Sequence, residues 1–323
     1  MEENSRTKQS NEPADRSDTR SESSPIHVPV LLQSVVACIR PLPGDIVFDG
    51  TYGAGGYSNE LSTLVGADGL VIATDQDPVV IARGSERSNV RLHHANFSNI
   101  DTILAQEKVS QINHAVLDLG ISSDQLDSES RGISFRHRNA PLDMRMDNSS
   151  ENAFTAWGII NVWEENEIAD VLYYNADEIK SRRIAKAIIE QRKKNPIDTV
   201  GDLVEVVHRT IGSGGRTDSA TRTFQALRIE VNKEIDHLKT FLNKVYPLLK
   251  PCGKDRTGGT IAIVSFHSIE DRIVKNTFKD WKQANKGIVM TKKPIRPDAS
   301  ELLLNKRARS ATLRVFQKTS LTL

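Results

Sequence analysis

At 323 residues, 38% of them apolar, the chain is long enough for one large domain with an insertion or for two domains. Its formal charge of +1 excludes a globally basic nucleic-acid coat, so any phosphate-binding surface has to be local. Cys38 and Cys252 are the only cysteines and form no C-x-x-C pair, which excludes a disulfide scaffold and a cysteine-held metal; no metal is expected.

Residues 1 to about 25, rich in Ser, Asn and mixed charge, read as a disordered tail. The tail's acids, from Glu2 and Glu3 to Glu22, argue against a mitochondrial presequence, and no apolar core follows Met1 as in a secretory signal. A cytoplasmic protein is expected, or one of the mitochondrial matrix if the source is eukaryotic. No apolar run approaches a membrane span, so no membrane partner is expected.

From Val28 to Ile39 an amphipathic pattern predicts a helix, followed by a strand at Asp45 to Asp49. The stretch Asp49-Gly50-Thr51-Tyr52-Gly53-Ala54-Gly55-Gly56 then reads as that strand breaking into a glycine turn that opens a helix. Such a turn lets a ligand lie against bare backbone. Two further strands, Val71 to Asp75 and Ala115 to Asp118, also end in carboxylates. Asp49, Asp75 and Asp118 should therefore gather at the carboxyl edge of a parallel sheet, where open α/β sheets bind ligands. Any one of them alone is as readily a helix cap; three in register behind a glycine turn favour a ligand.

A dinucleotide fingerprint would place its third glycine where Ser58 stands, which disfavours NAD or FAD. Asp75 lies roughly twenty residues past the turn, the spacing at which a strand-end carboxylate meets ribose hydroxyls. S-adenosylmethionine has that ribose without a phosphate, and its cationic sulfonium and ammonium suit an acid-lined cleft. Methyl transfer is the leading chemistry.

Beyond Asp118 the strand rhythm stops. Helical spacing marks Glu164 to Tyr174, Glu178 to Arg192, Val200 to Thr210 and one long helix, Ala220 to Leu249. Strand character returns at Gly259 to Phe266 and at Ala311 to Phe316. The expected division is a tail at 1–25, a cofactor-binding domain at 26–126 and 220–323, and an inserted helical, substrate-recognising domain at 127–219.

Several stretches occur in one order after the glycine turn: Asp118-Leu119-Gly120-Ile121-Ser122-Ser123, Gln125 to Asp127, Arg131 to Phe135, Pro141 to Asp147, Ala220 to Ile229, and Ser265-Phe266-His267-Ser268-Ile269-Glu270-Asp271 onward to Lys275. Together they resemble the RsmH (MraW) family of small-subunit ribosomal RNA cytidine N4-methyltransferases, from about His27 to Val315. The resemblance implies a Rossmann-like α/β class I S-adenosylmethionine-dependent methyltransferase sheet with an inserted helical domain. It also implies methylation of the exocyclic amine of a cytidine in the decoding region of 16S-type rRNA, on free RNA or a 30S-type subunit. By motif position, cofactor contacts fall on Gly55, Gly56, Tyr57, Asp75, Phe97, Asp118 and Gln125. Tyr57 stands where many members have His, Asp124 where Pro is usual, and Asn139-Ala140 where Asp-Gly is usual.

The cytosine amine is a weak nucleophile because its lone pair is delocalised into the ring, so it needs alignment and nearby acceptors. Asp118 sits where amino-methyltransferases hold the target amine, yet the family comparison gives it to the cofactor, the assignment preferred here. That leaves Asp143 and His267 as catalytic candidates. Asp143 is as readily an ion pair with Arg145 or Arg138, and a lone histidine is more often a local hydrogen-bonding residue. Ser268 and Asp271 have capping-box spacing for the next helix. Phosphate contacts are expected from Arg182, Arg183 and Lys186 on a basic helix, and from Arg307 and Arg309 near the C-terminus. A homodimer is compatible with the sequence.

Overall fold

The computed structural model describes residues 29–147, 154–214, 218–253 and 257–319. The tail at 1–25 and the start of the first predicted helix lie outside them.

Seven strands form one sheet: β1 (Ile46–Asp49), β2 (Leu70–Asp75), β3 (Val90–His94), β4 (His114–Asp118), β5 (Thr260–Ser265), β6 (Gly287–Val289) and β7 (Thr312–Lys318). Their spatial order is β3-β2-β1-β4-β5-β7-β6. Strands β3 to β5 of that order pair in parallel, and β7 runs antiparallel between β5 and β6. The order reverses between β1 and β4, leaving a crevice above their carboxyl ends.

Alternate residues of each strand feed opposite faces, as a two-residue period requires. Val47, Val71, Val116, Val264 and Val315 pack under helices Leu32–Ile39, Gly56–Val65 and Pro78–Arg83. Phe48, Ile72, Leu117, Ile263 and Phe316 pack under Ile100–Gln106, Glu234–Leu248 and Ser268–Gln283. With both faces covered, the central strands are apolar throughout, which is why they stand out in the sequence.

A third core belongs to helices alone. It joins Ile133, Leu142 and Met144 to the inner faces of Ala156–Val162, Glu165–Ala176, Ser181–Arg192, Val200–Ile211 and Ala220–Val231. The long helix predicted over Ala220 to Leu249 is therefore two helices, Ala220–Val231 and Glu234–Leu248. Lys233, at φ 50°, breaks it in the left-handed region, and the Asn232 side chain secures the break. Asn232 Nδ2 donates to Met144 O and Arg228 O, both at 2.8 Å, and its Oδ1 accepts the Met146 N–H at 2.8 Å. Phe224 and Leu227 go to the helical core, whereas Leu238, Phe241 and Val245 go to the sheet. Apolar spacing runs on across the break, so periodicity alone did not reveal it. Helix Ala156–Val162 and strands β3 and β6 were also not singled out; β6 is three residues long, too short to show a period.

Candidate active site

Strand β1 ends at Asp49 and the chain turns before helix Gly56–Val65. Gly53 and Gly55 take φ values of 53° and 78°, the left-handed region that favours glycine. Gly56 is required for space, because an added Cβ would lie 2.1 Å from Pro29 Cγ. Asp49 is wholly buried under this turn. Its Oδ1 accepts the Thr51 N–H at 3.1 Å and its Oδ2 accepts the Ser58 hydroxyl at 2.6 Å. Ser58, in the place of a dinucleotide fingerprint's third glycine, thus ties helix to strand.

Burial pushes the Asp49 carboxyl up to about 6, with Asp75 adding to the rise and the Ser58 and Thr51 bonds opposing it. A folded-state pKa above the unfolded value gives stability that is complete below about pH 4 and is lost as pH rises through about 6. The loss amounts to at most about 3 kcal/mol. In urea unfolding at about pH 4.5 and pH 7.5, Asp49→Asn is expected to show a shallower fall in stability than the parent; equal slopes would contradict this.

Asp75 Oδ2 accepts the Gly53 N–H and its Oδ1 accepts the Asp77 N–H, both at 2.9 Å. Burial raises its carboxyl despite these bonds. Asp77, missed in the sequence, is a hub. It caps helix Pro78–Arg83 through Val79 N–H, and its two oxygens take Arg131 at 2.8 and 2.9 Å and Gln125 Nε2 at 3.1 Å. Burial works against its charge, but the Arg131 and Gln125 bonds outweigh it and hold its carboxyl below the ordinary range. An acid followed by proline at a helix start was the available signal. Gln125 also closes a capping box with Ser122, so it braces the segment after β4 against Asp77.

The Asp118 backbone N–H donates to Thr51 Oγ1 at 2.7 Å, but side-chain Oδ1 is buried with no partner among the described residues. Burial raises its carboxyl well above the usual value, and the charges of Asp49, Glu270 and Glu301 add to the rise. A buried polar atom without a partner is costly, so it marks a place for a donor from a ligand.

Asp75, Phe97, Asp118, Gln125, Gly56 and Tyr57 line one cavity over the carboxyl ends of the central strands. Gly55 caps the helix one step behind that wall. Phe97 also packs edge-on against Phe241 at 5.7 Å, and the Tyr57 hydroxyl donates to Val30 O with its ring buried. The lining also takes in Asn232, Glu234 and His237 at the helix break and Phe266 and Glu270 after β5. A strand-end carboxylate lining the cavity, a buried acid without a partner among the described residues and a bare glycine turn fit adenosylmethionine.

The two catalytic candidates are not on that wall. Asp143 is gripped by Arg145 through Nε and Nη2, each at 2.7 Å, the alternative raised by the sequence. Arg145 lowers the Asp143 carboxyl against the effect of burial. His267 is the N-cap of helix Ser268–Gln283, its Nδ1 accepting the Glu270 N–H at 3.4 Å. The capping box is therefore His267 with Glu270, one residue earlier than Ser268 with Asp271. Ser268 instead bonds Asp177 at 3.3 Å, and Asp271 holds Arg314 at 2.6 and 2.9 Å.

Glu234, His267 and Glu270 each bring one ligand atom within 4.8 Å of the others. Arg228 already forks onto both Glu234 oxygens at 2.8 and 2.9 Å, and that guanidinium opposes a second cation. The trio is a charge network.

Arg182, Arg183 and Lys186 lie on the exposed side of helix Ser181–Arg192; Arg183 donates to Thr210 O at 3.0 Å and Lys186 lies 3.9 Å from Glu190. Arg307 stands at the cavity rim, bonded to Asp127 at 2.8 and 3.0 Å, with Arg309 exposed beyond it. Just before the basic helix, Tyr173 and Tyr174 are 50% and 68% exposed with rings 5.2 Å apart, an aromatic surface that their scattered composition did not signal.

The strand order, with its antiparallel seventh strand, and the acid-lined cavity at the order reversal define a class I S-adenosylmethionine-dependent methyltransferase. The pattern of the MraW methylase family matches residues 24–319, and the chain belongs to that family. Relatives named "Ribosomal RNA small subunit methyltransferase H" include one from Coprothermobacter proteolyticus, 38% identical over 296 residues, covering 90% of this chain and 96% of the relative. One from Rickettsia akari is 42% identical over 312 residues and one from Brevibacillus brevis 39% over 315, each covering 90% of this chain and 98% of the relative.

Proposed function

We propose that the protein methylates the N4 amine of one cytidine in the decoding region of small-subunit rRNA, free or within a 30S-type subunit, in the cytoplasm. The observation that carries this reading is the single cavity that Asp75, Phe97 and Asp118 line together with Glu234, Phe266 and Glu270. Relatives named for methylating small-subunit rRNA support the substrate class.

Bound adenosylmethionine supplies an electrophilic methyl group. Asp75 would accept from its ribose and Asp118 from a donor of its amino acid end, while Phe97 and the glycine turn would hold the adenine side. An inserted helical lobe receives the RNA. Burial supports a lobe that runs on from about 127 to Val231 rather than ending at 219, because Phe224 and Leu227 pack with it. The chain is 5% aromatic, which offers little platform for a long single strand; a folded RNA with one cytidine turned into the cleft fits better.

Mass spectrometry of small-subunit rRNA from cells with and without the gene tests the reading. Loss of one methyl group at a single cytidine is expected, and an unchanged methylation pattern would remove the assignment. Neutralising Arg182, Arg183 and Lys186 together is expected to weaken rRNA binding and reduce the slope of log affinity against log salt by about 2. An unaltered slope would take that helix off the phosphate path.

A further inference from the structure

Besides closing the capping box with His267, Glu270 is 2% exposed and lines the same cavity as Asp75, Phe97 and Asp118. Its Oε2 accepts the backbone N–H groups of Phe266 at 2.9 Å and His267 at 3.4 Å. Its Oε1 lies 3.2 Å from His267 Nε2, a buried ring nitrogen with no other partner among the described residues. Glu234, within 4.8 Å, is locked by the Arg228 fork. Asp118 lines the same cavity, feels the Glu270 charge, and has an Oδ1 without a partner among the described residues.

We propose that Glu270 is the catalytic acceptor for the target amine: its Oε1 receives an N4–H of the cytosine and takes that proton as the methyl group arrives. The inference rests on the methyltransferase reading and adds the group that reading lacks.

The environment keeps this carboxylate charged. Burial favours its neutral form, but His267 beside it, the Phe266 N–H and the Arg228 charge outweigh burial and hold it below the ordinary carboxylate range. Two backbone N–H groups fix its orientation, so it meets the amine without reorganising. Phe266, next in the wall, gives the pyrimidine ring an apolar face. In the transfer, the N4 lone pair forms the new N–C bond while the C–S bond breaks, and that electron pair stays on sulfur to give the neutral thioether. Nitrogen would be left positive; loss of one proton to Glu270 gives neutral N4-methylcytosine. An alkylated exocyclic ammonium of cytosine is a far stronger acid than a carboxylic acid, so even a carboxylate with a lowered pKa accepts the proton downhill. Glu270 then returns it to water. A carboxylate at the amine also stabilises the positive charge that grows on nitrogen, and it rejects a uracil, which offers a carbonyl oxygen at this position.

The test uses full-length protein, small-subunit particles from cells lacking the gene, and labelled adenosylmethionine in single turnover. Glu270→Gln keeps the size of the side chain and a capping-box partner. It is expected to slow methyl transfer about a hundredfold or more while leaving adenosylhomocysteine affinity within about twofold of the parent. Glu270→Asp keeps the charge one carbon short and is expected to fall between the two. Parent-like transfer by either variant would overturn the proposal. So would loss of adenosylhomocysteine binding in both, since the carboxylate would then serve the fold or the cofactor. Absence of transfer by the parent itself would instead count against the methyltransferase reading.

Discussion

Arg131→Ala is expected to lower unfolding stability by about 3 to 5 kcal/mol, because it strands a buried carboxylate without its cation. The side chains of Arg131 and Asp77 are 11% and 4% exposed, and two near-parallel bonds of 2.8 and 2.9 Å join them. Arg131 also donates to Met146 O at 2.8 Å, and its carbonyl accepts the Met144 N–H at 2.7 Å, so the loop entering the helical lobe is fastened at the same residue. Asp77 in turn donates its N–H to Asp75, which couples the loop to the cofactor side. A lower calorimetric melting midpoint together with weaker cofactor binding is expected. Arg131→Lys should recover only part of the loss, since an ammonium cannot reproduce the fork. An unchanged midpoint in Arg131→Ala would show that the pair carries no net stability.

The second large effect is on affinity. Asp75→Ala is expected to weaken binding of adenosylmethionine and adenosylhomocysteine about ten- to a hundredfold, the worth of a charged hydrogen bond of about 1.5 to 3 kcal/mol. The same change deprives the Gly53 N–H of its acceptor, loosening the turn on which the ligand lies. Asp75→Asn retains an acceptor oxygen and should fall between. Calorimetry decides: equal affinity in Asp75→Ala removes Asp75 from the site, and binding of NAD in place of adenosylmethionine would overturn the cofactor assignment.

The sheet was readable because its central strands are covered on both sides. Ile46-Val47-Phe48 and Ala115-Val116-Leu117 are apolar without interruption, and each ends in a carboxylate at the ligand edge. The glycine turn was readable for a similar reason, since its residues have no other use in a strand-to-helix junction. The helix break at Asn232 was not legible. It depends on an asparagine reaching carbonyls at Met144, 88 positions away in the chain, and no local pattern carries such a bond. The part of the lining that follows the break was hidden for the same reason, because Glu234 comes just after Lys233, where the chain turns. His267 drew attention as an isolated titratable residue, but its ring nitrogen serves its own helix. The chemistry passes to Glu270, whose side chain looks locally like half of a cap. Asp143 and Arg145 were legible as a pair, and the structure keeps them as one.

The two outermost strands carry a consequence for how copies of the chain meet. On one margin β3 presents Arg91, His93 and His94, with His93 held 2.8 Å from Glu107; on the other, β6 offers three residues. Neither gives a long, flat, uncharged rail of free amides on which another molecule could continue the ladder. Among the described residues, splicing two sheets into one is thereby disfavoured at both ends, which turns any twofold assembly toward the helices and loops.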